Sequence, residues 1–575
     1  MDVVVRHDLC DEEKSYIQKR LQIVGNCLCS HDIVYKHDEL PRVALLASGG
    51  GQRAHTAILG VLRQLGQDNL LDCFLYMAGV SGSIWAMSSL YADAHWSKNV
   101  TNATSGLLLS MSEGKGVTFS EGVQWLRKRH AEGDLSLSDP WGVLICALKG
   151  VPLETRTLSD EGKRQKDGAN PYPLYSAIER TLFHKKEAKE MWFEMSPHEV
   201  GFTGPGAFVK TSLLNRHFEG GHVKNCPEMK PMDMVQLQGI CGGVVGDENQ
   251  TKHYIKTYIL GWIRSLWAGM QDNSTPTPTS GVIQIMMTLV ELVESNDDLE
   301  RGREALAMLK SLLGEGYGIF SPTLLGLEYE FWTNMSDQDR RLSMEKIFEE
   351  LLESSEEWAQ DLNTLDNTLT DVWWLVKHIL PLFRGWQFGN VANFLHDFHD
   401  PKVPKDMCVK DTIHLMDAGL FLNSPYPSML SGARDIDVFV SFDFSEGSPF
   451  ETLKEARDYA ATIKRPFPNI DFENLDPHSP ESFYVFEEEG KPTVIHIPLF
   501  NMDNCKDVST IKKEWKEYAT FQMAYRDKKK IDHLADLAAE NVRMNRDGIL
   551  KEIRKAALRN THLDFEGCAI MFKHT

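Results

Sequence analysis

Two stretches of this chain repeat one pattern, in which an apolar run ends in small residues and helical spacing begins at once. No other feature constrains the fold as much. Arg42 to Ala47 (RVALLA) runs into Ser48-Gly49-Gly50-Gly51-Gln52-Arg53, and residues 53–66 then place Ala57, Leu59, Val61, Leu62 and Leu65 at helix-like intervals. Phe74 to Ala78 runs into Gly79-Val80-Ser81-Gly82-Ser83, and Ile84 to Tyr91 resumes a helical pattern. Continuous apolar runs suit strands buried on both faces, and strands linked through helices lie parallel. The pattern therefore predicts an α/β fold with a largely parallel sheet.

The remaining text is read around that core. Residues 1–40 predict a polar helix and a connector, and residues 41–222 hold the first part of the core. From 223 to 400 the chain becomes Trp-rich, acidic and helix-like, broken by Asp272 to Ser280 (DNSTPTPTS), and predicts an inserted helical cap. Residues 401–575 return to the core with strand-like runs at Thr412 to Met416, Asp437 to Phe442 and Thr493 to Pro498, followed by a charged helix from about Asp527 to Ala557. With 61 basic and 82 acidic side chains the net charge is −21, which repels nucleic acid phosphate, and no basic block with interleaved aromatics offsets it. The ten cysteines show no paired CxxC spacing, so neither a metal cluster nor a disulfide framework is expected and a reducing compartment fits. His396 and His399 lack the i, i+4 spacing of a helical zinc pair. Met1 to Lys14 lacks the apolar centre of a signal peptide, and no run reaches the roughly 18 apolar residues of a membrane-crossing helix.

Three turns at predicted strand ends can carry chemistry. Gly79-Val80-Ser81-Gly82-Ser83 fits a nucleophile elbow, with Ser83 where G-x-S-x-G has its second glycine. A plain helix N-cap fits the same residues. Ser48 to Arg53 offers backbone N–H groups at a helix start, a site for an oxyanion or a phosphate. As a dinucleotide fingerprint through Gly49, Gly51 and Ala54 it fails, because Asp72 precedes the next strand instead of ending it, and no Lys-Ser/Thr pair completes a P-loop. Asp417-Ala418-Gly419 ends the Thr412 run and puts a carboxylate at the edge where α/β sheets bind ligands; an ordinary acid in a turn before glycine is the alternative. A serine hydroxyl needs a base. Asp417 can serve directly as a Ser–Asp dyad. His496 follows in the order a triad requires, but it lies inside an apolar run, and the dyad ranks first.

Taken together, SGGGQR, GVSGS and MDAG resemble the catalytic domain of the cytosolic (group IV) phospholipase A2 family, which is related to patatin-like lipases. Pro171-Tyr172-Pro173, Trp192-Phe193-Glu194 with Gly206-Ala207-Phe208-Val209, Asn423-Ser424-Pro425-Tyr426-Pro427 and Ser441-Phe442-Asp443-Phe444-Ser445 also read like that family, so the likeness runs from about residue 40 to 550. The resemblance implies a patatin-like, acyl hydrolase-type three-layer core with a helical cap. It implies Ser81 as nucleophile, Asp417 as base, Gly50 and Gly51 as oxyanion-hole glycines, and Arg53 and Arg434 as ligands of substrate phosphate. The implied reaction is hydrolysis of the sn-2 ester of glycerophospholipids through an acyl-serine, with lysophospholipase and some acyltransferase activity, by a cytosolic protein peripherally bound to phospholipid membranes. About forty residues precede the first catalytic strand, too few for the family's calcium-binding membrane module, so the likeness is closest to its short gamma type. Neither calcium nor any other cofactor or metal is expected. Cys568-Ala569-Ile570-Met571 has the letters of a prenylation box but is followed by four residues, so a prenyl anchor is not expected. Tyr254, Tyr258, Trp262 and Trp267, with Lys256 and Arg264, predict an interfacial helix or lid, with ordinary core as the alternative. A Ser-Asp-His esterase of soluble esters, a catalytically silent lipid-binding relative and a nucleotide-binding enzyme are the rival functions.

Overall fold

Val43–Ala47 is buried at every position, as a strand flanked on both edges and covered on both faces must be. In the computed structural model this run lies in the middle of a twelve-stranded sheet. The structure describes residues 1–36, 39–133, 135–224, 231–243, 386–520, 522 and 524–561, with stretches of 257–384 between them. Tyr254, Lys256, Trp262, Arg264, Trp267, the stretch 272–280 and the box at 568–571 lie outside the described residues.

In chain order the elements that carry the sheet are β1 (Val4–Val5), α1 (Asp11–Ser30), β2 (Val43–Ala47), α2 (Gly51–Gln67), β3 (Tyr76–Gly79), α3 (Gly82–Leu90), β4 (Tyr172–Glu179), β5 (Trp192–Met195), β6 (Glu199–Phe202), β7 (Ala207–Lys210), α4 (Met234–Cys241), β8 (Asn390–Ala392), β9 (Thr412–Asp417), β10 (Val438–Asp443), β11 (Tyr484–Phe486), β12 (Thr493–Pro498) and α5 (Lys528–Thr561). The strand order is β1-β7-β6-β5-β4-β3-β2-β10-β12-β11, with β9 paired to β4 and β8 to β9. Only the segment β4-β3-β2-β10-β12 is parallel; every other pairing among the described strands is antiparallel. The sheet is therefore mixed, which corrects the expectation of a mostly parallel one. The links at 196–198 and 203–206 are too short for a crossover, so β5, β6 and β7 must fold back as hairpins.

The N-terminal residues are more than a connector. β1 pairs with β7 at the sheet edge, and α1 is tied down by Arg20, whose fully buried guanidinium donates from Nε to the Phe74 carbonyl at 3.0 Å and pairs with Asp72 at 2.9 Å. On α2 nearly every residue is buried, because α5 crosses it. At Gly60 the approach is so close that a Cβ would overlap the Ala535 carbonyl.

The chain divides into two units, Met1–Val117 with Gly142–Thr251 and Gly389–Thr575, and Thr118–Trp141 with Lys252–Phe388. Besides Thr118–Trp141, the second unit comprises Lys252–Phe388, a narrower stretch than the 223–400 expected from composition. Its described elements are helices. Phe119–Ala131 opens on a capping box between Thr118 and Glu121, which satisfies the free N–H groups of the first turn. Arg127 on that helix pairs at 2.8 Å with Asp371 on the helix Asn367–Arg384. Tyr258 is half-buried, with its ring centroid 6.0 Å from that of Trp141.

Candidate active site

Sheet register explains why a serine from one half of the chain meets an acid from the other. β3 runs parallel to β4 and ends with Gly79 opposite Tyr175. β9 runs antiparallel to β4 and ends with Asp417 opposite Ala177. The two strands thus point their carboxyl ends at each other from the same side of β4, two residues apart, or about 7 Å along the strand. Ser81 stands in the turn that leaves β3, with φ 52° and ψ −123°, a conformation strained for any residue with a Cβ. Its partner groups close the gap. Ser81 Oγ donates to the Gly243 carbonyl at 3.2 Å, and a Cβ placed on Gly243 would lie 3.2 Å from Asp417 Cβ and 3.8 Å from its Oδ2.

Both groups are sealed from water, Ser81 at 0% and Asp417 at 1% exposure. Asp417 Oδ1 accepts the Gly419 N–H at 2.8 Å, while Oδ2 has no hydrogen-bond partner among the described residues. Burial pushes the Asp417 carboxyl up to about 8, with the Ser81 hydroxyl and the Gly419 N–H opposing that rise. In this geometry the serine proton goes to the Gly243 carbonyl, and Oδ2 is the open acceptor beside it.

The glycine loop lies against the serine turn. A Cβ on Gly82 would overlap the Gly51 peptide, and one on Gly49 would come within 2.7 Å of Ser81 Cβ. Gly50 and Gly51 hold φ of 145° and 56°, which a side chain would strain. Their N–H groups find no acceptor among the described residues, and Gly51 opens α2, so the positive end of that helix backs the pair. The Gly49 N–H is differently employed. It is held by the Asn423 side-chain and main-chain oxygens at 3.1 and 3.2 Å, and Asn423 Nδ2 donates to the Gly49 carbonyl at 3.3 Å and to Ser445 Oγ at 2.8 Å. Ser83, the departure from G-x-S-x-G, donates to the Ser48 carbonyl at 2.6 Å and so ties the serine turn to the glycine loop. Sequence reasoning missed the positioning contacts of Asn423, Ser83 and Gly243. Asn423 stands six residues after Asp417 in a motif already conspicuous, which was the available signal.

Ser81, Asp417, Gly50 and Gly51 are thus brought together, whereas the two arginines make other contacts. Arg53 Nε donates to the Phe444 carbonyl at 2.9 Å, Nη1 to the Tyr518 carbonyl at 2.6 Å and Nη2 to Thr520 Oγ1 at 3.1 Å, and the buried guanidinium lies 5.0 Å from the Trp515 ring centre. Arg434 pairs with Glu13 and Glu194, each at 2.9 Å, and sits 5.7 Å from the ring of Tyr76, which begins β3 where Ser81 follows its end. Both guanidinium groups are buried and held by these protein partners. His496 faces neither Ser81 nor Asp417. It pairs in register with Ser441, then Leu46, then Ala78, so three strand spacings, roughly 14 Å, separate its backbone from β3. Its Nε2 is taken by the Pro449 carbonyl at 2.6 Å.

Fold and site together define the class, a hydrolase on an α/β sheet with a strained serine turn beside a glycine loop. A family model described as "Lysophospholipase catalytic domain" matches residues 43–243. Cytosolic phospholipase A2 gamma of Mus musculus is 31% identical over 570 residues, covering 96% of this chain and 92% of that protein, and its Homo sapiens counterpart is 32% identical over 568 residues, covering 97% and 96%. The solved structure of human GIVD cytosolic phospholipase A2 superimposes with a TM-score of 0.64 at 21% identity, covering 97% of this chain and 68% of that one. The chain belongs to the cytosolic phospholipase A2 family, whose members hydrolyse phospholipids.

Proposed function

We infer that this protein hydrolyses the sn-2 ester of glycerophospholipids through an acyl-serine formed by a Ser81–Asp417 dyad. The observation that carries the reading is the unpartnered, buried Oδ2 of Asp417 beside a serine held in a strained turn. In the first half-reaction Oδ2 takes the hydroxyl proton as Ser81 Oγ attacks the ester carbonyl. The Gly50 and Gly51 N–H groups receive the developing oxyanion, an interaction worth roughly 10²–10³ in rate for each donor. Asp417 then returns the proton to the leaving lysophospholipid. In the second half-reaction it takes a proton from water as the water oxygen adds to the acyl carbonyl, then gives that proton to Ser81 Oγ as the acyl–Oγ bond breaks and the fatty acid leaves; a lysophospholipid or other alcohol in place of water gives acyl transfer. A lysophospholipid offers the same ester chemistry, so lysophospholipase activity belongs to the same proposal.

Every proton transfer and the oxyanion are assigned to protein groups, so activity is expected without calcium. Arg53, whose Nη2 would lie 2.7 Å from a Cβ on Gly50, supports the glycine loop in this reading, and Arg434 holds α1 against the sheet. A direct role for either in binding substrate phosphate would require it to leave its present partners. A patatin-like core, a cap function for the helical second unit and peripheral attachment to phospholipid membranes from the cytosol belong to the same proposal; of these, the cytosolic setting is supported by the relatives' printed names.

The test is release of a label from the sn-2 chain of phosphatidylcholine vesicles, with and without a calcium chelator. Chelation should leave the rate unchanged, and Ser81→Ala and Asp417→Asn should each abolish it. Full dependence on calcium, or an active Ser81→Ala variant, would refute the scheme.

A further inference from the structure

Helix α1 ends in Cys27-Leu28-Cys29-Ser30-His31, so Cys27 and His31 stand four residues apart, on one face of the last turn. That face meets the 3-10 turn Leu71–Cys73, which leads into β3, and there the two thiols approach to 3.3 Å. One ligand atom from each of Cys27, His31 and Cys73 falls within 4.8 Å of the other two. A fourth polar atom faces them. The Asn69 carbonyl accepts from Cys27 Sγ at 3.2 Å and from His31 Nε2 at 2.8 Å. Asn69 is held in a left-handed conformation, φ 57°, with its side chain donating to Ser30 Oγ at 3.0 Å.

We propose that Cys27, Cys73 and His31 form a structural site for one divalent zinc ion, with the Asn69 carbonyl or a water as fourth ligand. Geometry separates this from a disulfide. Two sulfurs on a tetrahedral zinc, each about 2.3 Å from the metal, stand about 3.8 Å apart, so the thiols need to part by about half an ångström. A disulfide would require them to close by more than 1 Å, to about 2.05 Å, and would leave the imidazole and the carbonyl without a part to play. The ligand set, two thiolates and an imidazole, is the soft-to-borderline combination that selects zinc over magnesium or calcium. Binding is balanced by release of one proton from each thiol, while the imidazole ligates neutral through whichever ring nitrogen presents its lone pair. Both cysteines are buried and His31 is half-exposed, so the metal enters from the His31 side. Arg546 Nη2, 3.5 Å from His31 Nδ1, is a part-exposed side chain that must swing aside if that nitrogen ligates. The consequence is a staple between the end of α1 and the turn that opens β3, the strand leading to Ser81.

The experiment uses the full chain, purified under reducing conditions and titrated with cobalt(II) as a spectroscopic stand-in for zinc. The expected result is one equivalent bound, with thiolate-to-metal charge-transfer absorption that zinc then abolishes. His31→Ala should weaken zinc binding at least tenfold, Cys27→Ser and Cys73→Ser should remove the charge-transfer band, and Cys29→Ser, at the exposed neighbouring thiol, should keep it. Should either buried-cysteine variant fail to fold, His31→Ala still decides, because its side chain reaches the surface. Absence of a charge-transfer band in the unaltered chain, a band that survives Cys73→Ser, zinc affinity unchanged in His31→Ala, or a Cys27–Cys73 disulfide under those conditions would overturn the proposal.

Discussion

Replacing Asp417 with Asn should relieve a stability cost that grows with pH. The carboxyl titrates at about 8 in the folded protein against 3.8 in its ordinary state, because burial disfavours the charge. Between those values the folded state keeps a proton that the unfolded state has released. Stability therefore falls as pH rises from about 4 to about 8, and the loss is complete above 8. The whole shift, about four units at 1.36 kcal/mol each, is on the order of 5 kcal/mol, of which about 3 kcal/mol is lost between pH 6 and pH 9. The amide of the Asp417→Asn variant carries none of this dependence. At about 2.1 cal/mol/K per residue, a cooperative unit of roughly 400 residues has a melting entropy near 0.8 kcal/mol/K, so 3 kcal/mol corresponds to about 3–4 °C. Thermal melts of both proteins at pH 6 and pH 9 test the prediction. The Tm of Asp417→Asn minus that of the unaltered chain should be larger at pH 9 by about that amount. Equal differences at the two pH values would mean that the folded carboxyl is already ionised at pH 6, and the argument from burial would fail.

Gly82→Ala puts a methyl group into the Gly51 peptide and should lower the hydrolysis rate at least 10²-fold; a near-normal rate would show that the glycine loop and the serine turn are not in contact. Asn423→Ala frees the Gly49 peptide, and kcat should fall about tenfold or more with little change in KM. His496→Gln should retain activity within about tenfold, since the imidazole lies strands away, whereas a triad enzyme would lose nearly all of it. Arg434→Ala leaves Glu13 and Glu194 buried without their cation and should cost about 3–5 kcal/mol in denaturant unfolding. An arginine whose main task is to hold substrate phosphate would instead lower kcat/KM with unfolding unchanged.

Local chemistry was legible in the sequence, and long-range pairing was not. The strand at Thr493–Pro498 has the predicted ends, and β2 with α2 and β3 with α3 follow from apolar runs ending in glycine. β3 starts at Tyr76, two residues after the apolar run begins, because Leu71–Cys73 curls into a 3-10 turn. The hairpins from β5 to β7 escaped a reading tuned to parallel strands, since their signal is short links rather than composition. The phosphate-binding expectation for Arg434 came from the family resemblance. What decides its position is a pair of acids distant in sequence, Glu13 on α1 and Glu194 on β5, which no local window connects. The nearness of Cys27 and Cys73 escaped for the same reason, as one lies on α1 and the other in the turn before β3, without CxxC spacing.

Formation of a covalent adduct at position 81 tests the central claim most directly, since it isolates the attacking hydroxyl from membrane binding and product release. A lipid-like fluorophosphonate is suited to this, because its electrophilic phosphorus is attacked by an activated serine hydroxyl with loss of fluoride. Mass spectrometry should find the adduct on Ser81, forming at a rate that climbs with pH and levels off above about 8, slowed at least 10³-fold by Asp417→Asn and nearly unchanged by His496→Gln. An adduct on a different serine, or equal rates with aspartate and asparagine at 417, would contradict a carboxylate that takes the serine proton.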